Sequence, residues 1–292
     1  MNLQNSNREI RSQVAKETLA ILEKGHYLNS EGNRITIQQE VETAIRDSKL
    51  YSPNGLQIIK QEAVSRINDH QGIQTKIEVT DESTLAAARR LVVKEGLQNT
   101  LCLNFASAKN PGGGFLGGSQ AQEESLARSS ALYPCISQMD EMYTYNRNLK
   151  TCLYSDYMIY SPRIPVFRSD DCTLLENPYS VSILTAPAVN AGVVREREPQ
   201  QVSMIEPVML ERIRYILSVA AKHGEKAIIL GAYGCGVFRN NPSDVARMFK
   251  RVLVDEGYRT LFDHIVFAIL DKTDEKRIVN LFKREMRFYE SE

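Results

Sequence analysis

The sequence predicts an α/β protein: a mixed sheet, largely parallel, sandwiched by helices and preceded by a helical extension. Three observations carry this. From Thr75 onward, short apolar runs of strand type alternate with amphipathic helical segments. Three of those runs end in loops rich in glycine, or in proline, asparagine and glycine. The first 74 residues show helical periodicity and none of that loop chemistry. The chain therefore divides into a helical extension, residues 1–74, packed on a main domain, residues 75–292.

In the extension, Ile10, Val14, Thr18, Ile21 and Leu22 recur at helical spacing. A hinge is expected over Gly25–Gly32, a second helix over 38–48, a turn at 52–55 and a third helix over 57–68. In the main domain, 76–80 alternates as a strand does. Asp81 is placed to cap a helix that runs to about Glu95 and stops at Gly96. Residues 100–106 read as a buried strand leading into the glycines at 112–118, and 122–133 is helical again. The runs 157–162 and 164–168 read as two strands of a hairpin around Pro162. The apolar run 180–192 ends in a Pro/Asn/Gly loop. A long helix then starts at Pro207 and stops at Gly224, and the strand from 226 runs into a second glycine loop. Asn241–Pro242 opens another helix, 264–270 is a last strand, and a final helix carries Ile278, Leu281, Phe282 and Met286.

Composition narrows the classes. Of 292 residues, 36 are basic and 36 acidic, which argues against broad electrostatic binding to nucleic acid. No run approaches the ~20 apolar residues that a membrane span requires. Residues 1–13 lack the apolar core of a signal peptide, and a cytoplasmic location is expected. The five cysteines contain no CxxC spacing and read as free thiols. His26, His70, His223 and His264 are scattered, so no zinc site is expected, and no histidine lies near the first glycine loop to serve a hydrolase triad.

Ligands of open α/β sheets lie beyond the carboxyl ends of the strands. The three loops there are 110–118, 186–192 and 231–238. Glycine lets the main chain approach a ligand and adopt φ > 0, so the first and third loops suit a diphosphate bound by N–H groups. Gly112 to Gly117 fits GxGxxG, a weak signal without a following βαβ unit, and a P-loop fails because Ser119 stands where lysine is required. Taken alone, Glu123 and Glu124 read as a solvated helix start favoured by the dipole, and plain tight-turn duty stands as an alternative for Gly234 and Gly236.

The triplet Gly112-Gly113-Gly114, followed after seven residues by Gln122-Glu123-Glu124, resembles the signature of the poly(ADP-ribose) glycohydrolases. These are a catalytic branch of the macrodomain fold, and the compact bacterial type is the nearer likeness. The resemblance extends to Asn110-Pro111 and to Gly234-Cys235-Gly236-Val237-Phe238. It implies a macrodomain-like core, and Glu124 as general acid/base for the ribose–ribose bonds of poly(ADP-ribose). It implies Glu123 on the ribose hydroxyls and Gln122 as support for their loop. Asn110 and Gly112–Gly114 would lie at the terminal ribose, 234–238 at the diphosphate, Phe238 against the ribose, and Asn190 in a ligand loop. Thr80, Asp81 and Glu82 are candidates for the adenine side.

The substrate implied is poly(ADP-ribose) or an ADP-ribosylated protein, and the product ADP-ribose. No metal or other cofactor is demanded, and no direct DNA contact is expected. Cleavage passes through an oxocarbenium-like transition state, so the acid must stay protonated at neutral pH. Burial and the charge of Glu123 are expected to raise Glu124. The bacterial type favours cleavage from chain ends. The alternatives are an ADP-ribose-binding macrodomain without catalysis and a hydrolase of mono-ADP-ribosylated groups. A Rossmann dehydrogenase is disfavoured, because no acidic residue stands in a following βαβ unit.

Overall fold

The structure, a computed structural model, describes residues 3–69 and 74–287; His70 lies outside them. The extension comprises α1 (Leu3–Lys24), β1 (His26–Leu28), β2 (Arg34–Thr36), α2 (Gln38–Asp47), β3 (Lys49–Tyr51) and α3 (Pro53–Asp69). The expected hinge at Gly25–Gly32 is instead the start of a small hairpin, with Tyr27 paired to Ile35. The expected turn at 52–55 is the first turn of α3. Proline suits that position because its missing N–H would have no helical partner there.

The main domain continues with β4 (Lys76–Thr80), α4 (Thr84–Arg89, prolonged by a wide turn to Lys94), β5 (Thr100–Phe105), α5 (Gln122–Ser129), α6 (Leu132–Ser137) and α7 (Asp140–Asn148). Then come β6 (Met158–Arg168), β7 (Leu174–Ala186), α8 (Ala191–Arg197), α9 (Ile205–Lys222), β8 (Ala227–Leu230), α10 (Pro242–Lys250), β9 (His264–Ala268) and α11 (Arg277–Met286).

Among the described residues, seven strands form one sheet in the order β3-β6-β7-β5-β8-β9-β4. It is parallel from β7 to β4 and antiparallel where β6 meets its two neighbours. The extension thus supplies an edge strand as well as helices. Side chains alternate across the sheet: Leu101 and Leu103 face a core shared with α3, α9, α10 and α11, whereas Cys102 faces α2, α4 and α6. The parallel half is covered on both faces, as such sheets must be.

Two local expectations are corrected. Residues 157–168 do not fold back at Pro162. They run as one strand whose register shifts between Ser161 and Ile164, and the hairpin turn comes after Arg168. A shift of this kind absorbs the proline without reversing the chain. The cap of α4 is Ser83, whose Oγ accepts from Ala86 N at 3.0 Å. Asp81 is already engaged by Lys276 Nζ at 2.9 Å and by the Asp271 N–H at 3.2 Å.

Candidate active site

A cavity of about 1050 Å³ opens beyond the carboxyl ends of β5, β8 and β9, at the upper end of ligand-pocket sizes. Its wall includes Asn110, Gly113, Gly114, Gln122, Glu123, Glu124, Gly234, Cys235, Gly236, Val237 and Phe238. Two loops that lie more than a hundred positions apart are therefore brought face to face. Glu82 lines the cavity too, whereas Thr80 and Asp81 do not.

The carboxylates are set by the end of β5. Asn104, fully buried, donates from Nδ2 to Glu123 Oε1 at 3.3 Å and to Thr185 Oγ1 at 3.1 Å. The Ser107 N–H donates to Glu123 Oε2 at 2.7 Å. Glu123 is only 3% exposed, and burial pushes its carboxyl up to about 8. The donors at Ser107, Asn104 and Gly112 oppose that rise and the charge of Glu124 adds to it. Burial thus favours the protonated form of Glu123, a shift that the sequence reading did not draw. Asn104 Oδ1 is buried without a partner. Turning that amide over would give a protonated Glu123 its acceptor.

Glu124 stands at the cavity wall, half-buried, with Oε1 accepting from the Gly114 N–H at 3.0 Å. Gly113, at φ +58°, lies so close that a Cβ there would sit 2.6 Å from Glu124 Oε1 and 3.2 Å from Glu123 Oε2. Only glycine leaves room for both carboxylates on that piece of main chain. Gly112 lies behind this wall, against the rings of Phe115 and Tyr133.

Gln122 is a tie. Its Oε1 accepts from the Phe105 N–H at 2.9 Å, and its Nε2 donates to Leu103 O at 2.7 Å and to Thr84 Oγ1 at 3.2 Å. One amide thus joins the start of α5 to β5 and α4.

The second loop is fixed from below. Asn240, buried, donates to Val189 O at 2.7 Å and to Gly234 O at 3.1 Å, and the Gly192 N–H donates to Phe238 O at 3.0 Å. Among the described residues, no protein oxygen accepts from the N–H groups of Gly236, Val237 and Phe238. Three successive bare donors beside a cavity can serve an anion. Phe238 meets the Tyr154 ring at 5.9 Å. Burial pushes the Cys235 thiol up to about 12, so it offers surface and not a nucleophile.

Asn190 is placed differently from the other candidates. It caps α8, its Oδ1 accepting from Val193 N at 3.2 Å, and it is not part of the cavity wall. Sequence reasoning missed Asn104 and Ser107, which shape the electrostatics of Glu123. A polar side chain at a fully buried position of an apolar strand was the available signal. Among the described residues, no three His, Cys, Asp or Glu side chains are grouped to hold a metal ion, and no helix is long and apolar enough to cross a membrane.

Fold and site together define a macrodomain-type α/β protein with paired carboxylates in a large cleft beyond the strand ends. The sequence model described as "Microbial-type PARG, catalytic domain" matches residues 15–169. The poly(ADP-ribose) glycohydrolase of Thermomonospora curvata, solved with the inhibitor ADP-HPD, is 42% identical and superposes with a TM-score of 0.87 over 95% of this chain and 100% of that one. The enzyme of Deinococcus radiodurans, solved with ADP-ribose, is 44% identical with a TM-score of 0.79 over 84% of this chain and 96% of that one. No curated protein matches the chain. The chain belongs to the microbial-type poly(ADP-ribose) glycohydrolase family.

Proposed function

We propose that the chain hydrolyses the ribose–ribose glycosidic bonds of poly(ADP-ribose), from chain ends, and releases ADP-ribose. The observation that carries this is the placement of Glu124 in one cavity with three unpartnered N–H groups of the second glycine loop. Those N–H groups take the diphosphate of the terminal unit, with Phe238 beside its distal ribose. Asn110 and the main chain at Gly113 and Gly114 flank that ribose. Gly112 acts one step back, through its N–H to Glu123.

The chemistry then follows. A protonated Glu124 gives its proton to the leaving ribose oxygen as the bond from the anomeric carbon breaks, with the bonding pair leaving on that oxygen. The resulting carboxylate removes a proton from water as the water oxygen bonds to the anomeric carbon, which restores the acid. The bound diphosphate and an ionised Glu124 stabilise the developing cation in a cleft poor in water. Glu123 gives the ribose hydroxyls beside the scissile bond a hydrogen-bonding partner. Cleavage from chain ends is supported by the family resemblance. Five unpaired cysteines support a reducing, cytoplasmic setting.

The test is ADP-ribose release from poly(ADP-ribose) by the unmutated chain and by Glu124→Gln. We expect turnover to fall by ~10²–10⁴-fold, the usual worth of a positioned acid/base, with ADP-ribose affinity retained. Unchanged turnover removes Glu124 from the acid/base role. Binding of ADP-ribose without turnover in either chain leaves only a binding module.

A further inference from the structure

The first glycine loop is held from outside by the amino-terminal helix. Arg8 Nε donates to Gly117 O at 2.8 Å, Arg11 Nε to Gly118 O at 2.7 Å and Ser12 Oγ to Leu116 O at 2.7 Å. Three consecutive carbonyls are thus taken by residues of α1 spaced three and four apart, which share one helix face. Nearly two turns further on, Thr18 Oγ1 donates to Arg128 O at 2.6 Å. Arg128, itself 2% exposed, donates from one guanidinium nitrogen to Ser119 O at 2.7 Å and from the other to Gln120 Oε1. The fit is close: Gly118 has φ +75°, and a Cβ there would run into the Arg8 carbonyl. Leu116, Gly117 and Gly118 are not part of the cavity wall, and these three donors precede residue 15, where the family match begins.

The grip leads to the acid. The Ser119 N–H donates to Gly114 O at 3.1 Å, and a Cβ on Gly114 would sit 2.5 Å from Ser119 Oγ. The Gly114 N–H in turn holds Glu124 Oε1 at 3.0 Å. We propose that α1 is a working part of the catalytic centre: Arg8 and Arg11 are positioning residues that, through the carbonyls of Gly117 and Gly118, fix the Gly114 N–H and with it the Glu124 carboxyl. The inference rests on the hydrolase reading above and deepens it. The second glycine loop has its own supports in Asn240 and Gly192, so it stays in place when α1 lets go.

The experiment compares the full chain with Arg8→Ala/Arg11→Ala, with Arg8→Lys/Arg11→Lys, and with Gly118→Ala, which pushes on the same joint from the loop side. Turnover of poly(ADP-ribose), ADP-ribose affinity by calorimetry, and amide exchange are read on each. The alanine pair is expected to lose about tenfold in kcat, as small misplacements of an acid do, with affinity within about twofold. Exchange should quicken at 113–120 and stay unchanged at 234–238. Gly118→Ala should match it, and the lysine pair should recover part of the loss. Unchanged kcat in the alanine pair overturns the proposal. So does a fall in kcat and affinity together with faster exchange in both loops, which marks general loosening. No turnover by the unmutated chain overturns the hydrolase reading itself and this inference with it.

Discussion

The two glycine loops face each other across one cavity and are built on opposite plans. In the first, the carbonyls at 116–118 are occupied from outside, and the main chain at Gly113 and Gly114 presses on the carboxylates. In the second, the supports come from beneath, and the N–H groups at 236–238 are left bare toward the ligand. One loop spends its hydrogen bonds on holding an acid still, and the other withholds them for an anion. The difference separates the chemical step from ligand binding, and substitutions should divide along the same line.

The largest effect is expected at Glu124 itself, as described above. Next comes Gly113→Ala against Gly234→Ala. Both positions have φ > 0, +58° and +72°, so each alanine carries a similar backbone strain of roughly 1–2 kcal/mol. A Cβ on Gly113 displaces the end of a flexible carboxylate, so kcat should fall ~10²-fold with ADP-ribose affinity nearly kept. A Cβ on Gly234 meets Ala188 Cβ and Asn240 Nδ2 at 2.6 Å, so that variant should lose thermal stability and ADP-ribose affinity first. Calorimetry beside steady-state kinetics decides this; equal losses of affinity in the two variants would end the separation. Asn240→Ala removes two hydrogen bonds beneath the second loop and should weaken ADP-ribose binding by about tenfold while kcat at saturation changes less.

The smallest effect to measure is a slope. The Glu123 carboxyl is raised from 4.5 to about 8 on folding, so the folded state binds its proton more tightly than the unfolded one. Its contribution is fully present below about 4.5 and is lost as pH rises through about 8. Glu123→Gln has no such titration. The difference in melting temperature, variant minus unmutated chain, should therefore grow between pH 5 and pH 9, whatever its sign at the acid end. A difference that is flat with pH would contradict a buried, proton-holding Glu123.

Sheet, helices and the glycine–carboxylate motif were legible because each is written locally. Leu101, Cys102 and Leu103 spell a strand with two covered faces, and the spacing from Gly114 to Gln122 lies within one loop. What was not legible depends on distant partners. The raised carboxyl of Glu123 comes from its burial in the folded chain, against the donors of Asn104 and Ser107, and the dipeptide alone does not carry it. The cap of α4 moved from Asp81 to Ser83 because Lys276, nearly two hundred positions later, engages Asp81. The resemblance puts Asn190 in a ligand loop, yet the start of α8 claims its side chain. The hold of α1 on Leu116–Gly118 joins residues more than a hundred positions apart and has no motif.

The Gln122 tie has a consequence for how the enzyme meets its ligand. With a single amide bound to both Leu103 and Phe105, the first turn of α5 inherits the rigidity of the middle strand. The acid pair is therefore tied to a central strand, although it borders a loop. Little conformational freedom is left for an arriving sugar to quench, and the charges are oriented before it lands. Any adjustment on encounter falls to the opposite rim, where Val237 is 81% exposed and free to yield.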